Sequence, residues 1–331
     1  MPLTLLKKRS QLFQQLRAFF YARSVIEVDT PMLSIAGVPD PHLHALTTQV
    51  EVLGQRDSQR YYLHTSPEYP MKRLLCQGSG DIFYLGKVFR QDMISPRHQV
   101  EFVMLEWYRL GFSMFELMEE VAQLIQQVFS TGRHQGADEI LQVEQLSYQQ
   151  IFKKYAGIDD ILSATAKQCR TCLRRHNMAE IVGVDAEDKA LWEQLVLTEV
   201  IEPLLGRVGG QLSITFVYHY PASQAALAKI LPDHPEVAER FEVFVNGMEL
   251  ANGYYELGEA AQYRARFEAS LQARKALNYP SVPFDENLLS ALAQQPLPDC
   301  SGVALGVDRL FALQQGFDDI GQGIAFGLQD S

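Results

Sequence analysis

Val88-Phe89-Arg90-Gln91-Asp92, running through Met93 to Arg97-His98-Gln99-Val100-Glu101-Phe102 and into Val103-Met104-Leu105, is the stretch on which the fold turns. Phe83-Tyr84-Leu85 before it and Phe102-Val103-Met104-Leu105 after it read as strands, because short aromatic and β-branched runs bounded by turn formers favour extended chain. Arg90 is thereby placed on the framework of a sheet, followed by a loop. Towards the N-terminus, Leu5, Leu6, Leu12, Phe13, Leu16, Phe19 and Phe20 recur at helical spacing, and Val25-Ile26-Glu27-Val28 then reads as a strand stopped by Pro31. Tyr61-Tyr62-Leu63 is a further strand, and Ser113-Met114-Phe115-Glu116 is a capping box that opens a helix running to about Phe129.

Towards the C-terminus the pattern from about 130 to 210 is helical and polar. Strand-like segments return at 212–218, 241–245 and 302–305. Adjacent strands without intervening helices predict an antiparallel sheet flanked by helices, an α+β fold, and not a βαβ series. The expected division is 1–130 and 211–331 as two parts of one core, with 131–210 as a helical insertion.

Composition bounds the function. The 331 residues, 47% hydrophobic and 21% charged, are enough for a large globular core. The formal net charge of −11 disfavours a bulk tRNA-binding surface, since affinity for phosphate backbones comes from Lys and Arg displacing counterions. A local basic strip, Lys72-Arg73, is expected to steer an anionic partner or nucleotide. Cys76, Cys169, Cys172 and Cys300 form no disulfide framework, which fits a reducing cytoplasm, and Cys169 and Cys172 read as neighbours on a helix and not as a metal site. No signal peptide, anchor or membrane span is expected.

Three blocks stand in order: Val28-Asp29-Thr30-Pro31, the Arg90 stretch, and Gly302-Val303-Ala304-Leu305-Gly306-Val307-Asp308-Arg309-Leu310. Each alone is weak evidence, since a strand arginine or a glycine-rich turn is usually structural. Together they resemble motifs 1, 2 and 3 of the class II aminoacyl-tRNA synthetases. The resemblance implies that core fold and ATP-dependent formation of an acyl-adenylate. Such a site must neutralise phosphate charge and hold a carboxylate in line with the α-phosphorus, and the planar fork of an arginine suits that task.

By the resemblance, Arg90 bridges the α-phosphate and the incoming carboxylate, and Arg309 meets the γ-phosphate, the two being the catalytic pair. Gln91, Asp92, His98, Gln99, Phe102, Glu249, Leu250 and Gly306 complete the nucleotide site, with Asp92 near the adenine edge, His98 towards the outer phosphates and Phe102 stacked on the purine. Gly306 is expected in a tight turn that lets backbone approach the nucleotide. Glu242 and Glu249 are expected to hold Mg²⁺. They lie an odd number of residues apart, but Asn246-Gly247 signals a hairpin that returns both to one site. Glu106, Tyr108 and Glu256 would surround a buried ammonium group, Glu68 of Thr65-Ser66-Pro67-Glu68 would grip the substrate amino group, and Asn252 and Ala304 complete the substrate set with Ser66 and Pro67.

Within the class the blocks resemble lysyl-tRNA synthetase, from Leu5 to Phe326. The motif 1 helix begins near Met1, so no OB-fold anticodon-binding domain is expected ahead of it. Ser66-Pro67-Glu68-Tyr69, Met71-Lys72-Arg73-Leu74-Leu75, 216–224 and 298–306 are similar to the truncated paralogs that attach (R)-β-lysine to a lysine side chain of elongation factor P. That branch implies ATP, Mg²⁺, (R)-β-lysine and elongation factor P as reactants, and a homodimer. Arg90-Gln91-Asp92 stands where the family usually has Arg-Asn-Glu, and His98-Gln99-Val100-Glu101-Phe102 where it has His-Asn-Pro-Glu-Phe. Two alternatives remain open: a free-standing core that charges RNA, which the acidic charge opposes, and a silent regulatory paralog, which Arg90, Glu249 and Arg309 oppose.

Overall fold

The computed structural model describes the chain except residues 1, 52, 55–56, 133–140, 179–182 and 329–331. In chain order the elements are α1 (Leu3–Tyr21), β1 (Ile26–Glu27), β2 (Leu33–Ser34), β3 (Thr47–Val50), β4 (Gln59–Leu63), α2 (Glu68–Cys76), β5 (Ile82–Phe89), β6 (Glu101–Leu110), α3 (Met114–Gly132), β7 (Gln142–Ser147), α4 (Tyr148–Ile151), α5 (Ala166–Arg175) and α6 (Lys189–Val196). There follow β8 (Arg207–Val208), β9 (Gln211–Pro221), β10 (Ile230–Leu231), β11 (His234–Val245), β12 (Met248–Tyr255), α7 (Ala260–Ala276), α8 (Glu286–Gln294), β13 (Cys300–Gly306) and α9 (Val307–Gln315). They form two compact units, Met1–Gln135 with Tyr255–Ser331, and Gly136–Tyr254.

The first unit carries the strand order β1-β5-β6-β13 and a small sheet β2-β4-β3. β6 runs antiparallel to both of its neighbours, β5 and β13, and the short β1 runs parallel to its neighbour β5. β6 is buried continuously from Val103 to Arg109, as a strand covered on both faces must be. α1 turns Leu12, Leu16, Phe19 and Phe20 into this core, and Phe20 lies against Phe83 and Trp107. The capping box forms as expected. Ser113 N–H donates to Glu116 Oε2 at 2.8 Å and Glu116 N–H to Ser113 Oγ at 3.3 Å, so the first turn of α3 leaves fewer amides unpaired.

The second unit has the order β12-β11-β9-β7, with β8 on the edge of β9 and β10 on β11. The segment read as purely helical contains α4 to α6, but also β7, a strand parallel to β9 that the helical reading did not include. Gln142-Val143-Glu144-Gln145 is too polar to signal a strand, and it is pairing with β9 that holds it extended. Ile151, Phe152, Ile161, Trp192 and Val196 share one core with Val217, Tyr220 and Phe244 of the strands, so the helices do not form a core of their own. Cys169 and Cys172 are buried in that core, and Cys172 donates to the Ala156 carbonyl at 3.3 Å, in keeping with a packing role. Among the described residues no helix is long and apolar enough to cross a membrane.

Candidate active site

The floor of the candidate site is one face of β6 and β13. Glu106 is paired with Ala304 and Tyr108 with Gly302, and cross-strand partners project to the same side of a sheet. Glu106 is 2% exposed and accepts from Ser66 Oγ at 2.6 Å and from Tyr108 OH at 2.7 Å. Burial, then the Glu68 charge, push its pKa up to about 7, against the lowering effect of those two hydroxyls. Gly302 is glycine for a steric reason: a methyl there would stand 2.4 Å from Tyr108 Cε1 and 2.6 Å from Glu256 Oε1.

Glu68 opens α2 after Pro67, its N–H donating to Ser66 Oγ at 3.0 Å, and Glu256 follows β12, its N–H held by the Cys300 carbonyl. Between the two carboxylates lies Lys72. Its Nζ is 2.6 Å from Glu68 Oε1 and 2.7 Å from Glu256 Oε2, and 5.3 Å from the centre of the Tyr263 ring. The Lys72 side chain is fully buried and paired, so Lys72 cannot serve in the basic strip expected to steer an anionic partner. Helical spacing explains it: Lys72 is four residues after Glu68, on the inward side of α2 with Tyr69 and Met71. Burial opposes its charge, yet Glu256 and then Glu68 hold the ammonium well above the ordinary lysine range.

The phosphate-binding candidates lie in the same unit. Arg90 ends the β5 side of the loop, with Nε donating to the Thr65 carbonyl at 3.3 Å and the guanidinium carbon 5.3 Å from the Phe102 ring centre. Arg309 stands in the first turn of α9. Its Nη2 donates to His98 Nε2 at 3.0 Å, which leaves the proton of that imidazole on Nδ1, facing Ser95 Oγ at 3.0 Å. The Ser95–His98 turn thus brings His98 to Arg309, 211 residues later in the sequence. Gln91 is exposed, and its N–H donates to the His44 carbonyl, whereas Asp92 and Gln99 are half-buried. Gln99 lines a cleft with Ile94, Phe317 and Asp319.

The expectation for Gly306 needs correction. It takes an ordinary φ of −77°, and a methyl there would meet only side-chain carbons of Arg309, the nearest at 3.6 Å. The strand-to-helix junction therefore does not itself require glycine. Sequence reading also missed what joins the three motifs. Asp308, 3% exposed, pairs through Oδ1 with Arg9 Nη2 of α1 at 2.5 Å and accepts through Oδ2 from Val103 N–H of β6 at 2.7 Å. No local signal marks a pair whose members lie at opposite ends of the chain.

In the second unit, Asn246 and Gly247 both have positive φ, 56° and 68°, so the predicted hairpin turn forms. Its register pairs Glu242 with Asn252, and Phe244 with Glu249, with a bulge between Val243 and Phe244. The extra residue resets the alternation of β12, which is how two acids an odd number apart come to influence each other. Burial pushes the Glu242 carboxyl up and the Glu249 charge adds to this, while Arg240 opposes it. Glu242 Oε1 meets Arg240 Nη2 at 2.5 Å and Oε2 accepts from Tyr220 OH at 2.6 Å, and Arg240 Nε donates to Asn252 Oδ1 at 3.3 Å. Leu250 is buried, leaving only its backbone for a ligand. Among the described residues no group of three or more His, Cys, Asp or Glu could hold a metal alone. A pair of carboxylates suits Mg²⁺ that brings phosphate and water as its other ligands.

The chain matches the family model described as tRNA synthetases class II (D, K and N) over residues 3–330. It belongs to that family. Class II synthetases in general use ATP and a divalent metal. The chain is 44% identical over 325 residues, 98% of its length and 95% of the relative's, to elongation factor P–(R)-β-lysine ligase of Klebsiella pneumoniae strain 342. It is 44% identical over 321 residues, 97% and 94% of the two lengths, to the protein of that name from Salmonella paratyphi B. Class II membership accounts for the antiparallel sheet and for the order of the motifs.

Proposed function

We propose that the protein activates (R)-β-lysine with ATP and transfers it to a lysine side chain of elongation factor P. The observation that carries this reading is the cluster of Glu68 with the buried Glu106 and Glu256, which shares a unit with Arg90 and the Arg309–His98 pair. Similarity over nearly the full chain to enzymes of that name supports it. A pocket of acids selects a cationic side chain, because a buried ammonium is tolerated only when paired.

In the first step a carboxylate oxygen of β-lysine attacks the α-phosphorus and the bond to pyrophosphate breaks. Arg90 neutralises charge on the α-phosphate as it develops, and Arg309, oriented by His98, holds the leaving phosphates. Glu249 and Glu242, the latter held by Arg240 and Tyr220, would be the residues to hold Mg²⁺, which when bound would neutralise phosphate charge. In the second step the acceptor amine attacks the acyl carbon, an amide forms and AMP leaves. Glu68, Glu106 and Glu256 keep the substrate ammonium groups in place through both steps. A cytoplasmic location follows from the use of ATP and a translation factor.

Incubation with ATP, labelled β-lysine and either elongation factor P or bulk tRNA tests the reading. Label is expected on the protein acceptor; label on tRNA instead would replace the reading with an RNA-charging enzyme. We further propose a homodimer through α1 and β1, because Leu3, Leu6, Tyr21 and Ile26 are exposed there. Sedimentation showing only a monomer at micromolar concentration would end that proposal.

A further inference from the structure

Lys72 has no part in the mechanism above, yet it is a fully buried cation in the middle of the proposed substrate pocket. A buried ammonium is costly to place, and replacing such pairs with apolar residues often costs nothing in stability. Its presence calls for a reason beyond packing. Glu68 comes from the start of α2 and Glu256 from the segment between β12 and α7, so two like charges are brought together by elements far apart in sequence. Without a cation between them they would repel each other or take up protons, and a protonated carboxyl is a poor partner for an ammonium group.

The charges also balance. Glu68, Glu106 and Glu256 bring three negative charges when ionised, and Lys72 one positive charge, which leaves two. A basic amino acid such as β-lysine carries two ammonium groups. A pocket with three uncompensated charges would be left, after substrate binding, with one buried anion unpaired.

We propose that Lys72 is a specificity-positioning residue, whose ammonium holds the Glu68 and Glu256 carboxylates in register and offsets part of the pocket's negative charge to match a diammonium substrate. This rests on the function proposed above. Nothing in it requires Lys72 to touch the reacting atoms. Its Nζ meets one oxygen of each carboxylate, and Glu256 Oε1 faces Gly302 on β13.

The test compares Lys72→Met, which keeps volume and loses charge, with Lys72→Ala, which opens a slot for a small amine. ATP–pyrophosphate exchange is measured at varied β-lysine and varied ATP. In both variants KM for β-lysine is expected to rise about tenfold or more while KM for ATP stays near wild type, since truncating one member of a buried charge pair leaves the other unpaired. Propylammonium at millimolar concentration is expected to lower KM for β-lysine in Lys72→Ala and to raise it in wild type, where it competes with substrate; propanol should do neither. A purely structural lysine would show no such reversal, so absence of rescue overturns the proposal, as does an unchanged KM in Lys72→Met.

If neither variant folds, the wild-type enzyme decides. The ¹⁵N resonance of Lys72 Nζ is expected to shift on addition of β-lysine, and a resonance that stays in place refutes the role. Failure of the functional reading looks different: wild type would then either support exchange with no lysine isomer or carry label to tRNA in place of elongation factor P.

Discussion

Replacing Gly302 with alanine tests whether the β6–β13 face is the substrate floor. The added methyl would lie 2.4 Å from Tyr108 Cε1, about 1 Å inside ordinary contact, and 2.6 Å from Glu256 Oε1. Neither neighbour has an easy retreat: Tyr108 is 2% exposed, and Glu256 is anchored by Lys72. Overpacking of this kind costs roughly 1–3 kcal/mol. Moving the ring also endangers the 2.7 Å bond from Tyr108 OH to Glu106, and a hydrogen bond to a charged group contributes roughly 1.5–3 kcal/mol. Gly302→Ala should therefore melt several degrees lower and show KM for β-lysine raised at least about tenfold, a factor that corresponds to roughly 1.4 kcal/mol. KM for ATP should change little. Melting curves and pyrophosphate exchange measure both quantities. A variant with wild-type stability and wild-type KM for β-lysine would show that this face does not meet the amino acid.

Arg90→Ala should abolish adenylate formation with little change in melting temperature, since loss of one contact to transition-state charge typically costs about 3–4 kcal/mol of barrier; exchange near the wild-type rate would remove Arg90 from the mechanism. Ala304 pairs with Glu106 on the floor, where its methyl should crowd α-lysine more than β-lysine, so wild type should prefer β-lysine and Ala304→Gly should shift the ratio towards α-lysine by roughly 1–3 kcal/mol. Steady-state activation of both isomers by both proteins checks this, and an unchanged ratio refutes it. The Glu106 pKa of about 7 predicts a pH dependence: only the ionised form pairs with an ammonium group, so KM for β-lysine should fall as pH rises through about 7. Because the folded-state value is raised, the group's contribution to stability is present below the ordinary carboxylate range and is lost as pH rises towards 7. A Glu106→Gln variant should lose the KM profile; a profile that persists would assign it to another group.

Much of the fold was legible because its signals are local. Helical spacing in α1, the capping box at Ser113, the aromatic strands around Arg90 and the Asn246-Gly247 turn each depend on residues within a few positions of one another. The order of the three motifs was legible for the same reason, since each is a short run of sequence. β7 was not, because its extended form comes from pairing with β9, some 70 residues later, and not from its own side chains.

At the candidate site, the sequence by itself determined which residue types were present: two arginines, three acids and an acid pair on a hairpin. Only the tertiary structure decided how they are partnered. It buried Lys72 between Glu68 and Glu256, where sequence alone suggested a local basic strip. It joined Arg9, Val103 and Asp308 across nearly the whole chain, and it used a bulge to bring Glu242 under the influence of Glu249. Such pairings depend on the burial of both members and on strand register, and neither quantity is written in any short stretch of sequence.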